Sequence, residues 1–136
     1  MIEVKGLLKA QELARSGVLF APASFLNASI DELSRICNGC GSASAKFDFV
    51  PDSIYGTDIG PACNIHDWEY EFGFDNEDKE MADRTWRNNN LRLIDRDCKK
   101  KWYKPRALMQ FRAQWYYKLI CWKGGPAFWK GKNKSA

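Results

Sequence analysis

The sequence predicts a mostly α fold, and three observations carry that prediction. Apolar residues recur at three- and four-residue spacing in several windows, helix start and stop signals bracket those windows, and no segment alternates with the period of two that a half-buried strand needs. At 136 residues, 45% hydrophobic and 28% charged, the chain is sized for one domain spanning 1–136. Its core is expected over 29–124, followed by a basic aromatic tail at 125–136.

The elements follow in order. Leu7, Leu8, Ala10 and Leu13 space a first helix over Val4 to Ser16, and Gly17 ends it. Ser29-Ile30-Asp31-Glu32 is a capping box, in which the serine hydroxyl and the glutamate three residues on satisfy each other's backbone amides. It opens a second helix with Leu33, Ile36 and Cys37 on one face. From Asn38 to Gly60 the chain is rich in Gly, Ser, Asp and Pro and reads as a loop with at most a short strand near Phe47 to Val50. Gly60-Pro61 starts a third helix that runs to Gly73, where a left-handed C-cap is expected. Cys63, His66, Asp67 and Tyr70 share one of its faces. Glu77, Asp78 and Glu80 then form an acidic first turn, and the stripe Ala82, Trp86, Leu93, Ile94 carries that helix to Cys98. Pro105 opens a last long helix through Leu108, Phe111, Trp115 and Leu119, ending at Gly124-Gly125. The longer helices are expected to pack antiparallel.

Charge is unevenly placed. Residues 1–98 hold 10 Lys and Arg against all 17 Asp and Glu, whereas residues 99–136 hold 11 basic residues and no acidic one. The same end carries Trp102, Tyr103, Phe111, Trp115, Tyr116, Tyr117, Trp122, Phe128 and Trp129. Cations interleaved with amphipathic rings suit an anionic membrane surface or a nucleic acid, and the alternative is a partly buried aromatic core beneath a solvated lysine face. Leu108, Phe111 and Trp115 are assigned to the core, and Trp122, Phe128, Trp129, Lys130, Lys132 and Lys134 to a lipid-facing set. No stretch approaches the roughly 18 apolar residues of a membrane span. The most apolar window, Val18 to Leu26, is broken by Pro22 and Ser24 and follows no short basic region, so neither a transmembrane segment nor a signal peptide is expected. Five cysteines, Cys37, Cys40, Cys63, Cys98 and Cys121, are an odd number, and one Cys-x-x-Cys pair with a single histidine argues against zinc.

That histidine, His66, is the one side chain whose ordinary pKa suits general-base work at neutral pH. Asp83, on the following helix, could reach back to the imidazole and fix its tautomer. On residue types alone, a structural histidine paired with a carboxylate is the stronger reading.

The order Cys37-Asn38-Gly39-Cys40-Gly41, Val50-Pro51-Asp52, Tyr55-Gly56 and Pro61-Ala62-Cys63-Asn64-Ile65-His66-Asp67-Trp68-Glu69-Tyr70 resembles the phospholipase A2 superfamily, in its bacterial and phage-borne branch. The likeness covers residues 36–98. It implies a mostly α, phospholipase A2-like fold with antiparallel catalytic helices preceded by a calcium-binding loop. It further implies calcium-dependent hydrolysis of the sn-2 acyl ester of glycerophospholipids at an anionic membrane surface. By position, the resemblance makes His66 the general base, Tyr70 and Asp83 its orienting pair, and Asp67 the bidentate calcium ligand. Gly39, Gly41 and Ala43 would add carbonyls, with Asn38 where some members carry an acid. Cys40 and Cys63 would form a disulfide. Made in the cytoplasm yet needing calcium, such a protein would act after release or secretion. The alternatives are a catalytically weak lipid-binding or phage-particle component of the same fold, and a nucleic-acid-binding module built on residues 99–134; the membrane surface, not nucleic acid, is the partner expected.

Overall fold

The computed structural model describes residues 4–37 and 50–132. Seven helices and one small hairpin occur among them: α1 Val4–Arg15, α2 Ala23–Leu26, α3 Ile30–Ile36, β1 Ser53–Ile54, β2 Thr57–Asp58, α4 Gly60–Phe72, α5 Asn76–Lys100, α6 Arg106–Lys123 and α7 Gly125–Trp129. The central layer is the pair α4 and α5. Against it pack α1 on the α4 side and α6 on the α5 side.

Local chemistry explains the boundaries. The capping box forms as expected, with Ser29 Oγ accepting from the Glu32 amide at 3.2 Å while Glu32 Oε1 accepts from the Ser29 amide at 3.0 Å. Asp75 caps α5 by accepting from the Asp78 amide at 2.9 Å. Gly17 takes φ 87° after α1, the left-handed stop that a side chain would resist.

Gly73 differs from expectation. It is extended, with φ −76° and ψ 153°, and glycine is needed there for space: a Cβ would stand 2.6 Å from the Phe128 ring.

Two side-chain amides stitch the N-terminal segment to the core. Gln11 donates to the carbonyls of Phe25 at 2.9 Å and Ala28 at 3.0 Å, tying α1 to the α2 turn. Asn89, buried in α5, accepts from the Phe20 amide and donates to the Phe20 carbonyl, each at 2.9 Å, so it completes an isolated backbone as a strand would.

The hairpin was not expected. Ser53 pairs with Asp58 and Ile54 with Thr57, leaving Tyr55-Gly56 as a two-residue turn with φ of 48° and 81°. Positive φ at both positions marks the turn whose twist suits a two-stranded ribbon. Thr57 Oγ1 donates to Asp97 Oδ2 at 2.8 Å, and Lys104 Nζ donates to the Tyr55 carbonyl and to Thr57 Oγ1, both at 3.0 Å. These bonds fasten the ribbon to the end of α5. The strand expected near Phe47 to Val50 lies largely outside the described residues.

The C-terminal end also departs from expectation. Phe128 is fully buried, with its ring edge-on to Tyr70 at 5.1 Å, so α7 belongs to the core. Leu108, Phe111 and Trp115, assigned to the core by their spacing, are exposed, while Met109, Ala113 and Ile120 form the inner face of α6. Periodicity showed that α6 has two faces; which one meets α5 was inverted. Lys134 lies outside the described residues.

Candidate functional site

Two regions concentrate polar and aromatic chemistry, one buried between α4 and α5 and one on the outside of α6. The buried region centres on Asp83. Its Oδ1 accepts from Tyr70 OH at 2.6 Å and meets His66 Nε2 at 2.8 Å, and its Oδ2 accepts from Lys79 Nζ at 2.8 Å. One helical turn separates His66 from Tyr70 on α4 and Lys79 from Asp83 on α5, so two facing helices each deliver two members.

The structure therefore brings together the three residues expected to meet, His66, Tyr70 and Asp83. Lys79 was missed. Its signal was its position four residues before Asp83, a helical ion-pair spacing. Lys79 Nζ also lies 3.4 Å from the carbonyls of Ile120 and Cys121, near the last turn of α6.

Electrostatics follow from these contacts. Burial opposes ionisation of Asp83, but His66, Lys79 and Tyr70 together outweigh it and hold the carboxyl below its ordinary value. An ionised Asp83 facing Nε2 requires that nitrogen to carry the proton, which fixes the neutral tautomer. Burial, and next the Asp83 charge, push the Tyr70 phenol well above its usual value. His66 is itself 1% exposed, its ring 4.1 Å from that of Tyr70 and 5.8 Å from that of Trp86. Trp86 Nε1 in turn donates to Cys63 Sγ at 3.3 Å. Asp67 is buried on the same helix as His66.

The outer region is a stripe. At 100° per residue, Leu108, Phe111, Trp115 and Trp122 fall within an arc of about 60°, and Lys118 adjoins it. Phe111 is 65% and Trp122 76% exposed, and Trp102 and Tyr103, just before α6, are exposed too. Arg112 stands over the Tyr55 ring at 5.5 Å and Lys123 over the Trp122 ring at 5.1 Å. No acidic residue follows Asp97 in the sequence.

No protein-family model matches the chain, and no curated protein or solved structure matches it either. That result corrects the reading carried by the motif. Membership of the phospholipase A2 superfamily has no homologue of sequence or structure behind it, and the phospholipase A2-like fold, the hydrolase class and the sn-2 ester reaction fall with it. What stands of the expected fold class is its mostly α character.

Calcium is corrected on a further finding. Among the described residues no group of three or more His, Cys, Asp or Glu is gathered to hold a metal ion. The physical reason is ligand supply, because calcium takes about 6 to 8 oxygens and Asp67 was the one carboxylate expected to serve it. The expected carbonyls of Gly39, Gly41 and Ala43, and the Asn38 side chain, lie outside the described residues. Cys98 and Cys121 carry free thiols, and Cys63 is disulfide-bonded. Cys40, its partner by the resemblance, lies outside the described residues.

Proposed function

We propose that this protein is a peripheral binder of anionic phospholipid surfaces, docking through the outer face of α6. The observation that carries the reading is the exposed stripe of Leu108, Phe111, Trp115 and Trp122 on a segment with cations and no carboxylate. Contiguous exposed apolar side chains mark interaction surfaces, and tryptophan is favoured at head-group depth because its ring is apolar and its N–H polar. Each Lys or Arg near an anionic leaflet adds about 1 kcal/mol, so a few of them with three sunken rings give reversible attachment. No helix among the described residues is long and apolar enough to cross a membrane, and the proposed contact is interfacial.

Co-sedimentation with vesicles tests this. Binding to vesicles containing phosphatidylglycerol should exceed binding to pure phosphatidylcholine and weaken as salt rises, because screening shortens the reach of surface charge. The variant Phe111→Ser/Trp115→Ser/Trp122→Ser should lose at least tenfold in partitioning. Equal partitioning of variant and wild type, or tighter binding to duplex DNA than to anionic vesicles at the same salt, would overturn the proposal.

A further inference from the structure

An apolar groove opens at the end of α4, with no residue of α6 in its walls. It holds about 320 Å³ and is walled by Trp68 and Phe72 of α4, Phe74 of the following turn and Met81 of α5. Trp68 is held in place by its Nε1 bond to Ser24 Oγ at 3.0 Å, and the Trp68 and Phe72 rings pack 4.8 Å apart. Phe72, Phe74 and Met81 are each more than half exposed. Large apolar side chains that meet solvent together mark contacts with other molecules.

The surroundings of the groove are acidic. Between Phe72 and Met81 the chain carries Asp75, Glu77, Asp78 and Glu80 against one lysine, and that lysine, Lys79, is turned inward onto Asp83 at 2.8 Å. Asp75 and Asp78 accept from backbone amides of the turn, which fixes their side chains without cancelling their charge. Glu77 and Glu80 are exposed, and among the described residues none of the four is in an ion pair. No basic residue lines the groove. The patch therefore fits a partner that is aromatic and cationic.

A surface of that description is on the same molecule. The outer face of α6 presents Phe111, Trp115 and Trp122 with Arg112, Lys118 and Lys123, on a segment from residue 99 onward that has 11 basic residues and no acidic one. We infer that the groove of one copy receives the outer face of α6 from a second copy of this chain, rings of the stripe packing on Trp68, Phe72, Phe74 and Met81 while its cations face the carboxylates at the start of α5. Aromatic residues, methionine and arginine are the types enriched in protein contacts, and complementary charge sets which surface meets which. Groove and stripe share no residue, so the contact is head to tail. Every pair keeps one free groove and one free stripe, and copies add until a ring closes. The stripe is also the surface proposed to meet lipid, so the two contacts exclude each other; the inference rests on the exposure of the stripe, not on lipid binding.

Sedimentation of the full-length protein without lipid tests it, so its outcome is independent of any vesicle result. At low salt and about 0.1 mM protein, wild type should exceed the mass of a dimer, and it should return toward a monomer as salt rises and screens the exposed charges. Two variants locate the faces. Phe74→Ser/Met81→Ser spoils the groove and Phe111→Ser/Trp115→Ser/Trp122→Ser spoils the stripe, all at exposed positions. Each alone should associate at least about tenfold more weakly than wild type, because central aromatic contacts carry most of an interface. A mixture of the two should form a dimer that grows no further, since one supplies an intact stripe and the other an intact groove. A wild type that stays monomeric at low salt would leave the groove to a foreign partner and overturn the inference. Either variant associating by itself as wild type does, or a mixture that stays monomeric, would overturn it as well.

Discussion

The α4–α5 interface and the outer face of α6 handle charge in opposite ways. Between α4 and α5, one carboxylate takes three donors from two helices, and the Lys79 cation balances the Asp83 anion out of water. On α6 Arg106 pairs with Asp95 of α5, whereas Arg112, Lys118 and Lys123 stay in solvent beside exposed rings, with no carboxylate on their own helix. A buried charge must be paired within the fold, so the first region is self-sufficient. Surface cations among exposed aromatics carry no such obligation and leave their complement to be supplied from outside. The contrast separates a region that holds the fold from the region we propose meets a partner.

The largest effect should come from breaking the balanced side. Asp83→Asn leaves Lys79 buried without its counter-ion, and removing one partner of a buried pair costs about 3–5 kcal/mol. Urea unfolding of the variant measures it, and a loss under 1 kcal/mol would show that Asp83 is not the hub. Because the folded Asp83 carboxyl lies below its ordinary value, its contribution is present above the unfolded pKa and is lost as pH falls through the folded one. Acid unfolding of the wild type should therefore be steeper than that of Asp83→Asn.

A smaller loss should follow from Gly73→Ala. The added Cβ would stand 2.6 Å from the Phe128 ring, and overpacking of that kind costs about 1–3 kcal/mol. Thermal melting should show it, with quenching of Trp129 reporting displacement of α7; an unchanged midpoint would mean that α7 is not seated on α4.

Glu69 sharpens the comparison from a third side, as a largely buried acid whose Oε1 has no hydrogen-bond donor among the described residues. Its folded pKa of about 8 lies above the ordinary 4.5, so the folded state binds more protons between those values and stability falls as pH rises through that window. Glu69→Gln should abolish that slope and be more stable than wild type at pH 8 relative to pH 5, by an amount on the order of 1 kcal/mol or more. Parallel pH profiles of the two proteins would refute the assignment.

The smallest stability effect is expected on α6. Phe111→Ser and Trp115→Ser should each change folding free energy by no more than about 0.5 kcal/mol, as solvent-facing substitutions do. A loss several times larger would place these rings in the core after all.

Much of this division was legible in the sequence, and the failures have physical causes. The capping box, the glycine after α1 and the proline-led starts depend on local chemistry, and the shared face of His66 and Tyr70 on fixed helical spacing, which a chain displays directly; that Asp83 reaches them from the next helix was implied only by the motif. The Tyr55-Gly56 turn escaped because its first residue is not the asparagine or aspartate that usually signals positive φ there. Lys79 escaped because a lysine four residues before an aspartate reads as an ordinary surface pair, and its burial is visible only once α5 is seen to lie against α4 and α6. The face of α6 was inverted because aromatic rings outweigh Met109, Ala113 and Ile120 in any hydrophobic count, although the smaller side chains let α6 approach α5. The motif spanning residues 36–98 led to a family and a metal that neither the comparisons nor the described residues support, so motif spacing carried the residue geometry further than it carried the function.

The most direct test of the account is tryptophan quenching by brominated anionic lipid. Trp68 and Trp86 are buried, whereas Trp102, Trp115 and Trp122 are exposed along or beside the α6 stripe. In vesicles containing brominated phosphatidylglycerol, emission of the wild-type protein should fall, and the variant Trp102→Phe/Trp115→Phe/Trp122→Phe, which keeps aromatic rings at these positions, should still bind while its remaining emission is largely spared. Equal fractional quenching in the two proteins would show that another face enters the lipid, and no quenching in the wild type would show that none does.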